Sequence, residues 1–124
     1  MATILIVEDN DKNMKLVRDV LQAKGYRTLE AVTGEEGVKL AKQEIPDLVL
    51  MDIQLPGING IEAFRQIRAD AKTARIPVVA LTASVTPTDR STINAAGFDA
   101  FVSKPINLKE FLDTVKRLVE RAGQ

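Results

Sequence analysis

Four consecutive apolar residues, Leu48-Val49-Leu50-Met51, run straight into an acid, Asp52. Turn signals bound the stretch, Pro46-Asp47 before it and Pro56-Gly57 after it. The run is too short for a helix, and nothing polar alternates within it. It reads as a strand buried on both faces, as in a parallel sheet. A carboxylate at the C-terminal end of such a strand stands where open α/β sheets bind their ligands. Acids also start turns well, so Asp52 by itself does not decide between a site and a bend.

The pattern recurs along the chain. Ile4-Leu5-Ile6-Val7 ends in Glu8 and Asp9, Pro77 to Leu81 ends at Thr82-Ala83-Ser84, and Ala100-Phe101-Val102 ends at Ser103-Lys104-Pro105. Arg27 to Ala31 alternates polar with apolar and suits a sheet edge. Helices are predicted between these runs. The first carries Met14, Val17, Val20 and Leu21 at helical spacing and stops at Gly25. The second opens on the Thr33/Glu36 cap spacing and runs to about Glu44, with Val38, Leu40 and Ala41 inward. The third opens on Asn59/Glu62 and points Ile61, Phe64 and Ile67 inward. The fourth has Thr86 as cap, Pro87 at its first position and Asp89 in its first turn. It contains Ser91, Thr92 and Asn94, poor helix formers, and is predicted to be the least stable. The fifth opens on Asn107/Glu110 and carries Leu108, Phe111, Leu112, Val115, Leu118 and Val119. Gly37, inside the second helix, costs about 1 kcal/mol relative to Ala unless close packing demands it. Gly57 and Gly60 read as turn and cap residues. Five β-α alternations predict an α/β fold, a doubly wound parallel sheet with helices on both faces. With 124 residues and no repeat or linker, one domain spanning 1–124 is expected.

Composition narrows the chemistry. Lys+Arg and Asp+Glu are 17 each, so net charge gives no footing for bulk nucleic-acid binding. There is no cysteine and no histidine. Disulfides, thiolate metal sites, imidazole bases and Ser-His or Cys-His nucleophile pairs are therefore excluded. The apolar runs are far too short to span a bilayer and the N-terminus lacks a signal layout, so a cytoplasmic protein without membrane contact is expected.

In a parallel sheet Glu8-Asp9, Asp52, Thr82 and Lys104 all reach the same edge. Acids meeting there repel, and at least one keeps its proton unless a cation is present. A hard divalent cation resolves the repulsion. Mg²⁺ takes a few carboxylate oxygens, keeps some waters and often shares a phosphate oxygen. Lys104 offers a compact charge for an anion and Thr82 a hydroxyl donor. The implied ligand is Mg²⁺ (or Mn²⁺) with a phosphoryl group. No Gly-rich phosphate loop supports a nucleotide. A carboxylate can itself be the phosphoryl acceptor, and Asp52, between the acids and the lysine, is the best candidate.

On these residues the chain resembles the CheY-type receiver domains of two-component response regulators over essentially its whole length. The matching segments are Leu5-Ile6-Val7-Glu8-Asp9-Asn10, Asp47 to Pro56, Leu81-Thr82-Ala83 and Ser103-Lys104-Pro105. The first of these, extended by Ile4 and Asn13-Met14-Lys15-Leu16, and Leu50 to Pro56 are most similar to stand-alone regulators of the DivK type. The resemblance implies a flavodoxin-like (βα)5 fold with strand order 2-1-3-4-5. It implies a phosphorelay switch whose Asp52 receives a phosphoryl group from a histidine kinase or histidine phosphotransfer protein. A downstream protein target would read a change at the 82–105 surface, with no DNA-binding output domain. Asp9 and Asp52 would hold Mg²⁺ by carboxylate, Gln54 by its backbone carbonyl and Glu8 through water. Lys104 would pair with the phosphoryl group, and Thr82 would bond it after moving inward. Phe101 falls at the aromatic switch position, where it lacks the hydroxyl of the commoner tyrosine. Lys104-Pro105 falls at the peptide usually found cis. Glu8 replaces the usual first aspartate.

The residues also bear on rival functions. An aspartate-nucleophile phosphatase would want a second acid two residues after the nucleophile, and Gln54 stands there. A DNA-binding regulator is disfavoured by the zero net charge and the want of room for a second domain. A single Tyr and no Trp disfavour a flavin site. The expectation is a signalling phosphoacceptor that catalyses only its own phosphorylation and dephosphorylation, not a turnover enzyme.

Overall fold

The computed structural model describes residues 2–55, 57–83 and 87–122. Five strands alternate with five helices: β1 (Thr3–Val7), α1 (Asp11–Ala23), β2 (Arg27–Ala31), α2 (Gly34–Glu44), β3 (Leu48–Asp52), α3 (Gly60–Ala69), β4 (Val78–Thr82), α4 (Pro87–Ala96), β5 (Ala100–Ser103) and α5 (Leu108–Ala122). The strands form one sheet in the order β2-β1-β3-β4-β5, and every neighbouring pair is parallel. This is the expected doubly wound α/β arrangement.

The strands sort their side chains by the two-residue period of the pleat. Ile4, Ile6, Leu48, Leu50, Val79 and Leu81 face Met14, Val17 and Leu21 of α1 and Phe111, Val115 and Leu118 of α5. Leu5, Val7, Val49, Met51 and Val78 face Val38 and Ala41 of α2 and Ala63, Phe64 and Ile67 of α3. Because both faces are covered, β3 and β4 are buried at every position. That explains why their sequences are apolar runs without alternation. The outer strands β2 and β5 are only partly buried, which accounts for the polar pattern of 27–31.

Helix ends follow local chemistry. The Thr33 hydroxyl accepts the Glu36 N–H, and the side-chain oxygens of Asn59 and Asn107 accept the N–H groups of Glu62 and Glu110. Each satisfies a donor that the first helical turn leaves open. Asn10 caps α1 in the same way through Asn13, a start that the spacing argument left unassigned. Thr86, the expected cap of α4, and Pro56 lie outside the described residues. At the far end of α1 the Tyr26 N–H donates to the Leu21 carbonyl and the Gly25 N–H to that of Gln22. Gly25 has φ +89, so this is the left-handed closure that glycine permits.

The structure departs from expectation at Leu108 and adds an unannounced cap at Ile45. Leu108 was placed on the inner face of α5, but it is 41% exposed. As the first residue of the helix it precedes the turn at which the apolar stripe meets the sheet. Helix α2 ends at Ile45 in the left-handed region, φ 46, without the glycine or asparagine that would announce such a cap.

Gly37 is explained by packing. A Cβ there would stand 2.7 Å from Val7 Cγ2 and 3.0 Å from Val7 Cγ1, so α2 lies on β1 only because this residue has no side chain. Gly37→Ala should therefore cost about 1 kcal/mol or more in urea denaturation, the overpacking outweighing the gain in helix propensity. In a Val7→Ala background the same change should become stabilising. Independent, additive effects of the two substitutions would refute this account.

Candidate functional site

Parallel pairing brings the C-terminal ends of β1, β3, β4 and β5 to one edge. Val7 is level with Met51, Asp52 with Leu81, and Thr82 with Ser103. Glu8, Asp9, Asp52 and Lys104 converge there, with Thr82 beside them at the end of β4. Glu8, Asp52 and Thr82 are almost wholly buried, 1%, 3% and 2% exposed. Asp9 is exposed.

The sequence folds this way for local reasons. The Glu8 N–H pairs with the Ala31 carbonyl at 3.0 Å, which extends the β1–β2 ladder by one residue. Glu8 Oε1 then accepts the Asn10 N–H at 3.1 Å, so the residue that caps α1 also aims Glu8. Asp52 Oδ1 accepts the Gln54 N–H at 2.9 Å. Gly60, at the start of α3, presses on the same turn. A Cβ on it would come 2.1 Å from the Asp52 carbonyl oxygen, while its N–H bonds the Ile53 carbonyl at 3.0 Å. Gly60 is thus a close-approach residue as well as a cap neighbour. Neither Asn10 nor Gly60 was singled out from the sequence as a support of the site. Asn10, three residues before Asn13, carried a readable cap signal, and a glycine opening a helix is a readable anomaly.

One cation holds two of the acids. Lys104 Nζ lies 3.0 Å from Asp52 Oδ2 and 3.0 Å from Glu8 Oε2. It is placed by the β4–β5 pairing, in which its own N–H donates to the Thr82 carbonyl at 2.8 Å. The Lys104–Pro105 peptide is cis. Burial alone would lower the lysine pKa, but Glu8 and Asp52 outweigh it and raise the value. Burial chiefly, and Asp52 next, push Glu8 from its ordinary 4.5 up to about 7, against the pull of Lys104. Glu8 is the acid on which the expected repulsion falls.

The donor set suits a divalent metal. One oxygen each of Glu8, Asp9 and Asp52 lies within 4.8 Å of the others. With Glu8 ionised, three carboxylates against one ammonium leave two negative charges over, and all the donors are hard oxygens. Glu8 Oε2 is buried without a hydrogen bond; Lys104 stands at ion-pair distance from it but outside hydrogen-bond alignment. A buried oxygen whose one charged partner is shared with a second acid leaves room for a further positive charge.

Phe101 is half-buried on β5, with the Arg90 guanidinium carbon 5.2 Å from its ring centroid. It lines a cavity of about 300 Å³ with Arg90, Pro105 and Asn107. A second cavity, about 310 Å³, touches Thr82, Gln54, Asn59 and Thr92.

The Glu8 proton sets a pH dependence. Its folded pKa lies above its ordinary value, so the folded state binds this proton more tightly than the unfolded state does. The associated stability is complete below 4.5 and is lost as the pH rises through about 7. In chelator the melting temperature should therefore fall across that window in wild type, relative to Glu8→Gln, which has no proton to lose. Parallel pH profiles for the two proteins would overturn the assignment.

The comparisons with known proteins agree with this geometry. The profile of the response regulator receiver domain matches residues 4–116. The polar-differentiation response regulator DivK of Brucella ovis is 43% identical over 114 residues, which is 92% of this chain and 93% of that protein. The receiver domain of the sensor histidine kinase PA1611 from Pseudomonas aeruginosa PAO1 was solved with a magnesium ion coordinated in its active-site cleft. It superposes with a TM-score of 0.90 at 34% identity, covering 96% of this chain and 98% of that one. The chemotaxis protein CheY4 of Vibrio cholerae superposes with a TM-score of 0.88 at 27% identity, covering 95% and 98%. With the family profile spanning nearly the whole chain and the sheet order and strand-end residues in place, this chain belongs to the response regulator receiver domain family.

Proposed function

We propose that the domain is a phosphorylation-driven signalling switch whose acceptor is Asp52. The donor would be the phosphohistidine of a histidine kinase or of a histidine phosphotransfer protein. A kinase charged by cytoplasmic ATP would put the exchange in the cytoplasm. The observation that carries the reading is one buried carboxylate, Asp52, 3.0 Å from the Lys104 ammonium and within 4.8 Å of Glu8 and Asp9.

Asp9 and Asp52 would hold Mg²⁺ (or Mn²⁺) by carboxylate, with the Gln54 backbone carbonyl, and Glu8 would do so through water. When bound, the ion supplies charge neutralisation for the transferring phosphoryl oxygens. The chain's own residues do the rest. The Gln54 N–H fixes the Asp52 carboxylate through Oδ1. An Asp52 oxygen forms the new O–P bond as the N–P bond to the donor imidazole breaks. Lys104, now shared between Glu8 and Asp52, would turn to an oxygen of the incoming group. Burial of Asp52 and Glu8 limits water at the acceptor. Gln54, an amide, supplies no general acid, which favours a stable acyl phosphate over rapid turnover.

The output would follow from Thr82 and Phe101. Thr82 would bond the phosphoryl group, and Phe101 would settle towards the space Thr82 leaves. Among its described side chains α4 buries only Ile93, a light anchoring that would let it shift. A protein target would read the altered 82–105 surface.

Two measurements test this. With acetyl phosphate and Mg²⁺ the chain should take up close to one phosphoryl group, labile to base and hydroxylamine. Asp52→Asn should abolish uptake and Asp9→Ala should weaken both uptake and Mg²⁺ binding. Lys104→Ala should still be labelled but respond poorly. Full, base-stable labelling of Asp52→Asn on serine or threonine sinks the acceptor assignment. Hydrogen exchange with a phosphoryl mimic such as beryllofluoride should change most in 83–105. Changes confined to 34–44 would contradict the switch.

A further inference from the structure

The loop from Ile53 to Asn59 joins the acceptor strand to α3, and it is fastened at two places. The inner fastening is local, through the Gln54 N–H to Asp52 Oδ1 and the Gly60 N–H to the Ile53 carbonyl. The outer fastening comes from another element. Glu35, in the first turn of α2, reaches across so that its Oε1 accepts the Ile58 N–H at 3.3 Å. Two glycines permit the approach. A Cβ at Gly57 would lie 2.6 and 2.9 Å from the Glu35 carboxylate oxygens, and Gly57 holds φ +74. A Cβ at Gly34 would lie 2.7 Å from Ile58 Cγ1 and 2.8 Å from the Ile58 carbonyl. Helix α2 and the loop meet closely because Gly57 leaves room for the Glu35 carboxylate and Gly34 leaves room for Ile58.

We propose that Glu35 is a positioning residue for the phosphoacceptor site. By holding the Ile58 N–H it fixes the 57–59 end of the loop, and through the Gly60 N–H on the Ile53 carbonyl it steadies the Gln54 carbonyl and the Asp52 side chain in the arrangement that would take a divalent cation. The role rests on the proposed function, since it matters only if the loop serves that cation. A loop not fixed in advance must be ordered when the ligand binds, and that entropy is subtracted from affinity. Glu35 acts by hydrogen bonding and not by its charge. A neutral side chain with the same carbonyl oxygen should therefore serve, whereas one without an acceptor should not.

The test compares the whole unphosphorylated chain with Glu35→Ala and Glu35→Gln. Mg²⁺ affinity is read by calorimetry, exchange of the Ile58 amide by NMR in chelator, and melting temperature in chelator. In Glu35→Ala the Mg²⁺ Kd should rise roughly three- to tenfold, the size expected for one lost hydrogen bond. The Ile58 amide should exchange faster, and the metal-free melting temperature should stay within a few degrees. Glu35→Gln should restore both affinity and protection. Unchanged Mg²⁺ affinity in Glu35→Ala overturns the proposal. So does a Glu35→Gln as weak as Glu35→Ala, which assigns the effect to charge, or an affinity loss that accompanies a collapse of metal-free stability. Failure of the proposed function would show differently, as wild type itself failing to bind Mg²⁺ or to be labelled at Asp52.

Discussion

Two buried carboxylates share one ammonium at the edge of this sheet, and the electrostatics of the site follow from that contact. Lys104 Nζ sits 3.0 Å from both Glu8 and Asp52. Removing charged groups from water is expensive, and one lysine cannot repay it for two acids. The imbalance appears in Glu8, whose pKa rises to about 7 chiefly through burial and whose Oε2 makes no hydrogen bond. The acid cluster could therefore hold a metal ion. A divalent ion between the acids and an anion beside the lysine would each relieve part of the strain, and each assists the other.

Such a site needs a stiff support, and the fold supplies one away from the chemistry. Around the start of β4, Arg68 of α3 donates to the Ile76 carbonyl and pairs with Asp99 at 2.6 Å, while Asp99 also accepts the Val78 N–H at 2.8 Å. Phe64 stacks on Phe98 with centroids 4.1 Å apart, and Arg68 covers the Phe64 ring. These contacts lock α3 to the entrance of β4 and to the turn before β5. The opposite end of β4 carries Thr82 and leads to α4, whose described side chains bury only Ile93. Under the proposed function, rigidity at one end of the sheet and lighter anchoring at the other would let a change at Asp52 move a surface without melting the core.

Small residues set the distances on which the site relies. Gly60 lets α3 start against the Asp52 carbonyl, and Gly37 lets α2 settle on Val7, the residue before Glu8. Neither glycine is needed for a left-handed turn. Both are places where helix propensity is given up so that an element can approach a strand end closely. The position of Asp52 is in this sense a packing result as much as an electrostatic one.

The strand runs, the caps at Thr33, Asn59 and Asn107 and the closure at Gly25 were legible in the sequence. They are set by neighbours a few residues away, through side-chain periodicity and local hydrogen bonds. The strand-end acids and lysine were legible for a different reason. A parallel sheet sends all its C-terminal ends to one edge, so β-α alternation is enough to bring residues 8, 52, 82 and 104 together. Other features depended on contacts between distant segments. Only the tertiary structure shows that Glu8, and not Asp9, is the buried acid, because the Ala31 carbonyl and Asn10 decide which of the two turns inward. Only it shows that Gly60 and Gly37 answer to Asp52 and Val7. It also corrects Leu108, whose helical phase was right but whose place at the first residue of α5 leaves it exposed, and it reveals the left-handed Ile45, for which no residue type gave warning. Sequence determines which groups arrive at the edge, because that follows from chain direction and period. The tertiary structure decides how deeply each is buried and what it touches, because those depend on the close approach of elements distant in the chain.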